Sequence, residues 1–158
     1  MEKRPLDRID RAILAALQND ARLTNKELAF QVGLAPSSCL DRVRRLRTDG
    51  RIRGYHADVE PASLGIALQA MVFIQLHAHS RAAVQDFIAA VAPRPEVLTL
   101  THVAGRHDFI VHVAARDTAH LRESILLHIS SMAGVRHVET ALIFEHHRAT
   151  ALPDYLPG

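Results

Sequence analysis

Apolar residues in the first fifty positions recur at helical spacing. Ile9, Ile13, Leu14 and Leu17 fall on one side of a helix that Asp7 can cap, with Asp10 near its positive end. Asn19-Asp20-Ala21-Arg22 breaks the pattern. Thr24 and Glu27 have capping-box spacing: the hydroxyl accepts from an orphan amide and the carboxylate reaches back. Gly33 suits the left-handed residue that ends this second helix, and Pro36 suits the first turn of a third, where no amide donor is needed. In the third helix Leu40, Val43 and Leu46 are predicted inward. Ser37, Ser38, Asp41, Arg42 and Arg45 are then predicted on the outer side. Gly50 ends that helix. Arg51 to Val59 partly alternates polar and apolar residues around Gly54, which predicts a short wing or strand pair.

Beyond Glu60 the period shortens. Pro61 and Gly65 bound a linker, and Ile66 to His79 reads as a strand with Val72, Ile74 and Leu76 on one face and Phe73, Gln75 and His77 on the other. Arg81 to Val91 is predicted helical, with Val84, Phe87, Ile88 and Val91 inward, stopped by Pro93 and Pro95. Val97 to Val103 and Asp108 to Ala114 are strands joined by a turn at Ala104 to His107. Thr118 is the expected cap of a helix whose inward positions are Leu121, Ile125, Ile129 and Met132. Gly134 ends it, and Arg136 to His146 is the last strand.

The fold class is therefore α+β. Residues 1–60 form a winged helix-turn-helix after a loose start at Met1 to Pro5, and 61–65 a linker. Residues 66–150 form a ferredoxin-like βαββαβ domain, and 151–158 a C-terminal tail. One antiparallel sheet with both helices on one face leaves its other face open. That face carries apolar residues, so a homodimer is expected through it.

Composition sharpens this picture in three places. Of 158 residues one is Cys, no apolar run reaches 18, and the charged N-terminus lacks the apolar core of a signal peptide. A cytoplasmic protein without membrane contact and without an internal disulfide framework is expected. The net charge is only +2, but residues 1–60 hold 12 Lys/Arg against 9 Asp/Glu, and six Arg lie between Arg42 and Arg53. Such a cluster can neutralise phosphates and release counterions. Ten of the 11 His follow residue 60. His77, His79, His112 and the pair His146-His147 could face a metal through imidazole, but no Cys or helical His pair supports it. Polar surface or interface histidines are the expectation, with no metal or cofactor.

A helix, a Gly-containing turn and a helix with Arg on its free face is the arrangement that enters the DNA major groove. There Arg donates two bonds to guanine and Ser reaches a base or a phosphate. Double-stranded DNA is the expected partner, with Ser37, Ser38, Cys39, Asp41, Arg42 and Arg45 as the contact set. The bland alternative is a solvated basic face. Cys39, beside a helix start, could be a nucleophile, but no His/Asn pair can be placed near it, and no catalytic set emerges elsewhere.

Val32 to Leu46, followed by Gly50 and Ile52-Arg53-Gly54-Tyr55, is similar to the recognition helix of the Lrp/AsnC family of transcription regulators. Val103-Ala104-Gly105-Arg106-His107-Asp108-Phe109 resembles the Gly-x-x-Asp turn of that family's ligand-sensing (RAM) domain. Met132-Ala133-Gly134-Val135 leading to Thr140 is a third match. The resemblance runs from Leu6 to about His147. It implies a dimer built on the ferredoxin-like domain, often assembled to octamers, and an amino acid or similar small metabolite bound between dimers. Ala35 departs from the Ser that usually caps the recognition helix. His107 stands where an aromatic or another polar residue is common.

The effector site implied by the match comprises Gly105, Arg106, His107 and Asp108, with Thr101, Val103 and Thr140 as lesser members. Gly105 permits positive φ and close approach of a ligand to the main chain. Arg106 and exposed amides could hold a carboxylate, and Asp108 could accept from an ammonium group. The plain alternative is a hairpin turn with Asp108 bonded to its own backbone. Siroheme decarboxylases resemble the same two-domain fold and use His and Arg in the ferredoxin-like half. That is the enzyme alternative to a regulator.

Overall fold

Three helices, the first two with side-chain caps, build the first unit. Helix α1 (Arg8–Asn19) starts at Asp7, whose carboxylate accepts the Asp10 amide at 2.8 Å. Helix α2 (Asn25–Gln31) opens on the expected capping box: the Thr24 amide donates to Glu27 at 2.8 Å and the Glu27 amide to the Thr24 hydroxyl at 3.3 Å. Gly33 ends it at φ +68°, a backbone region that side chains disfavour. Helix α3 (Pro36–Thr48) has Ala35 at its N-cap and no side-chain cap bond. The Asn25 side-chain amide donates to the Pro36 carbonyl at 2.7 Å, which ties the starts of α2 and α3. The structure, a computed structural model, describes residues 4–156, so Met1–Lys3 of the expected loose start lie outside the described residues.

Ile13, Leu28, Ala29, Cys39 and Leu46 form the buried core of this unit, with Ile9, Leu14, Leu17 and Val43 packed against it. One expectation is corrected here. The inner face of α3 is Cys39, Val43 and Leu46, while Leu40 is 37% exposed. Exchanging Leu40 for Cys39 turns the inward direction by roughly 30°, because successive helical residues differ by about 100°. Arg42 is drawn toward α1 and Arg44 is brought outward.

The expected wing is also corrected. Arg51 to Val59 contains no strand. The Leu46 carbonyl accepts the amides of Arg51 and Ile52 at 2.8 and 3.1 Å, and Ile52 packs on the helical core. Only a few residues flank Gly54, and an isolated two-stranded hairpin of that size gains little from pairing. The described residues from His147 to Leu156 group with this first unit, which otherwise ends at Asp58.

The second unit, Val59–His146, is an antiparallel sheet with helices on one face. A 3₁₀ turn (Pro61–Leu64) leads into β1 (Leu68–Leu76), α4 (Arg81–Val91), β2 (Val97–His102) and β3 (Phe109–Ala115). A second helical stretch follows, α-helical at Thr118–His120 (α5) and Leu127–Ser130 (α6) and π-helical over Leu121–Leu126, before β4 (Val135–Ile143). Sheet order is β2-β3-β1-β4, the ferredoxin-like order. Asp117 rather than Thr118 caps the second helical stretch, accepting the His120 amide at 2.6 Å. Its inward residues Leu121, Ile125 and Ile129 are four apart, a spacing that drifts around a regular α-helix; the wider π winding reduces that drift.

Parity of the strands sorts the two faces. Ala70, Val72, Ile74 and Leu76 of β1 and Phe109, Val111, Val113 and Ala115 of β3 are buried under Phe87, Val91, Leu121, Ile125 and Ile129. The opposite face carries Met71, Phe73, Gln75, Ile110 and His112, flanked in register by Glu139 and Ala141 of β4. His112, paired in register with Met71, is only 8% exposed there, because His146 stacks on it with ring centroids 5.4 Å apart.

Candidate nucleic-acid interface and effector turn

The outer face of α3 presents Ser37, Ser38, Asp41, Arg44 and Arg47, all exposed. Arg44 lies 3.7 Å from Asp41, and both side chains are more than two-thirds exposed, so water and salt screen the pair. Arg47 holds its guanidinium 6.0 Å from the Tyr55 ring centre. Leaving Ala35 without a cap bond keeps the first α3 amides open beside Ser37 and Ser38.

Three of the expected contact residues are placed differently. Cys39 is fully buried in the core, and burial pushes its thiol pKa up, so its side chain offers nothing to a partner and is no nucleophile. Arg42 donates to Asp7 at 2.6 Å and to Asp10 at 2.8 Å. Arg45 donates through Nη2 to both oxygens of Asp10, at 3.0 and 3.2 Å. The Arg42 side chain is 24% exposed and that of Arg45 38%. Arg42 is therefore a strut between α3 and α1, and Arg45 is half strut, half surface. The reason is charge burial. The Asp10 side chain is 3% exposed, and a carboxylate at that depth requires cationic donors. Hydrogen bonding from Arg42 first, and from the Asp10 amide second, holds the Asp7 carboxyl below its ordinary pKa.

From sequence, Asp7 and Asp10 are expected only as helix-start residues. Their spacing carried a further signal: two acids three apart on α1 match two arginines three apart on α3.

The effector turn joins β2 to β3. Val103 donates its amide to the Asp108 carbonyl at 2.9 Å, and the Asp108 amide donates to Ile74 at 2.8 Å. Gly105 sits at φ +141° with nothing within 4 Å of where a Cβ would lie. Gln75 donates to the Arg106 carbonyl at 2.7 Å, while the Arg106 side chain is exposed. His107 packs 5.3 Å from the Phe73 ring centre and sits 3.9 Å from the Glu139 carboxylate. Its Nδ1 is buried without a partner.

Asp108 is not a free acceptor. One oxygen accepts the Leu76 amide at 2.8 Å and the other meets His79 Nδ1 at 2.8 Å. Strand β1 ends beside it and supplies an orphan amide, so an ammonium group would share a carboxylate that already holds two partners. Thr101 and Thr140 are not brought together either. They occupy the two edge strands, three interstrand steps apart, or about 14 Å at the usual spacing. Pairing of Thr101 with Ile110 and of Thr140 with Val72 puts them on opposite faces. Gln75, His79 and Glu139 are the neighbours of the turn that sequence reading missed. Only the fold's register brings them there.

These two sites carry the features of a regulator, and comparison with known proteins decides the family. The AsnC-type helix-turn-helix domain profile matches residues 6–47, and the Lrp/AsnC ligand binding domain profile matches 69–152. The chain belongs to the Lrp/AsnC family of transcriptional regulators. It is 47% identical over 148 residues to the HTH-type transcriptional regulator AldR of Mycolicibacterium smegmatis, covering 94% of this chain and 86% of that protein. It is 36% identical over 147 residues to the Leucine-responsive regulatory protein of Escherichia coli K12, covering 91% and 90%. Among solved structures, a transcriptional regulator of Neisseria meningitidis crystallised as an L-Met complex superposes with a TM-score of 0.83 at 33% identity, over 94% of this chain and 97% of that one. Regulators, not enzymes, are what these Lrp/AsnC relatives are named. Among the described residues no helix is long and apolar enough to cross a membrane, and no group of three or more His, Cys, Asp or Glu could hold a metal ion.

Proposed function

We propose that this Lrp/AsnC regulator reads DNA with the outer face of α3 and responds to an α-amino acid at the Gly105–Asp108 turn. The observation that carries the DNA reading is the exposed row formed by the adjacent Ser37 and Ser38, then Asp41 and Arg44 at successive turns of α3, above a buried inner face. Arg44 takes the base-reading role expected of Arg42 or Arg45, and Arg45 is a phosphate contact. The homodimer forms through the open sheet face that carries Met71, Phe73 and Ile110. A two-fold dimer prefers pseudo-palindromic sites.

For the effector, a relative named leucine-responsive and a structural neighbour holding L-Met support an amino acid. Gly105 gives a carboxylate access to main-chain amides, Arg106 adds a charge, and Glu139 beside His107 supplies a further acceptor for the ammonium group alongside Asp108, whose oxygens already hold Leu76 and His79.

The test is DNA binding at fixed salt with selected and random duplexes, with and without each amino acid. Arg44→Ala is expected to cost about 1–3 kcal/mol on the selected site and much less on random DNA. A ligand at 100 times its Kd adds about 2.7 kcal/mol of stability if it binds only the folded chain. Equal affinity of the wild type for both duplexes would sink the sequence-specific reading.

A further inference from the structure

An ionic cluster joins α1 and α3. Three guanidinium groups, from Arg4, Arg42 and Arg45, converge on the two carboxylates of Asp7 and Asp10. Asp10 is the centre: it accepts from Arg42 and Arg45 and lies 3.8 Å from Arg4. Arg42 has its own second anchor in Asp7. Arg45 is held by Asp10 through a single nitrogen, Nη2, which leaves Nε and Nη1 outside the contact on a side chain 38% exposed.

We infer that Asp10 is a positioning residue of the DNA site: buried in α1, it fixes the Arg45 guanidinium so that the remaining donors meet a DNA phosphate with little ordering left to do. The inference rests on the reading of α3 as the DNA-contacting helix. Long side chains lose rotamer freedom when they dock, and an arginine already held by a carboxylate has lost it beforehand. Arg44 is the contrast. Its partner Asp41 is 76% exposed and 3.7 Å away, so it stays mobile until it meets a base. One recognition helix thus carries an adaptable reader, Arg44, next to a pre-set phosphate clamp, Arg45.

Charge alone predicts the opposite of this proposal. Removing a carboxylate makes the domain more positive, which tightens binding to DNA. A loss of affinity in Asp10→Asn therefore reports positioning. The expected result is a roughly three- to tenfold loss in the full-length chain at fixed salt. Arg45→Ala is expected to lose affinity and to lower the salt slope by about 0.9, the value of one phosphate contact. The double variant should bind like Arg45→Ala alone, within about twofold, because Asp10 acts through Arg45. Independent losses that multiply, or tighter binding by Asp10→Asn, would overturn the inference.

Asp10→Asn also strips a partner from buried arginines and could fail to fold. A measurement on the wild type covers that outcome: ¹⁵Nε relaxation of the arginine side chains without DNA. Arg45 is expected to be ordered like Arg42, and Arg44 to be mobile. Arg45 as mobile as Arg44 would overturn the proposal without any variant. If the wild type binds no DNA at all, the reading of α3 itself has failed. If it binds and only the coupling is absent, the positioning role alone is lost.

Discussion

Asp108 Oδ2 accepts the backbone amide of Leu76 at 2.8 Å. The bond closes the end of β1 against the β2–β3 turn, and Leu76 is 3% exposed, so water cannot replace it there. A residue marked by its motif as a ligand contact is thereby also a structural clamp. Asp108→Ala is expected to destabilise the second unit by about 1–3 kcal/mol, the cost of stranding a buried donor. Asp108→Asn, which keeps an acceptor oxygen, should lose less. Urea unfolding of the full chain without ligand checks this; an Ala variant as stable as wild type would refute the clamp.

Ala35 is at the N-cap of α3 with φ −67° and ψ 144°, an extended conformation that a capping Ser would adopt without rearrangement. Ala35→Ser supplies the missing acceptor and is expected to stabilise the chain by about 1 kcal/mol. Comparison of denaturation midpoints at unchanged m-value measures it.

Much of this molecule was legible in the chain because its code is local. The Thr24/Glu27 box, the turn at Gly33 and helix Arg81–Val91 follow from residues three or four positions apart. The alternation over β1 also told which face Val72 and Ile74 would bury. What failed was non-local. Cys39 rather than Leu40 faces inward, buried together with Ile13 of α1 and Leu28 and Ala29 of α2. That choice swung Arg42 away from the surface. Asp108 is already engaged because the end of β1, far earlier in the chain, lies beside it. Thr101 and Thr140 look like partners in one dimension and are separated by strand order in three.

His112 is predicted to make stability depend on pH near neutrality. Burial lowers its pKa from the usual value near 6.5, and the adjacent His146 lowers it further. Its ring faces His146, with Met71 of β1 and Thr99 of β2 as register neighbours. The folded chain holds fewer protons here than the unfolded one between the two pKa values. Stability is therefore full above about pH 6.5, falls as pH drops below it, and levels off under the folded pKa. Urea midpoints at pH 7.5 and 5.5 should differ more for wild type than for His112→Leu. The same difference in both proteins would assign the dependence to other histidines.

The last prediction concerns the tail on α1. Arg11 donates to Asp154 at 2.6 Å and to the Leu156 carbonyl at 3.1 Å, and Gln18, two turns along the same face, accepts the Leu152 amide at 2.8 Å. Positions seven apart on a helix share a face, so the two side chains form a short rail for an extended segment. The Asp154 carboxyl is held below its ordinary pKa by the Leu156 amide first and by Arg11 second, which stabilises the docked tail at neutral pH and releases it only as pH falls through that lowered value. The pair is partly exposed, so salt should loosen it as well. Gln18→Ala removes the acceptor of a single main-chain amide and leaves the ion pair alone. Hydrogen exchange at Leu152 is expected to accelerate in that variant, with the Leu156 amide, which donates to Asp154 at 3.0 Å, changing less. Arg11→Ala should reverse the order, loosening Leu156 before Leu152. Equal acceleration of both amides by either variant would mean the tail docks as one cooperative piece rather than by two separate holds.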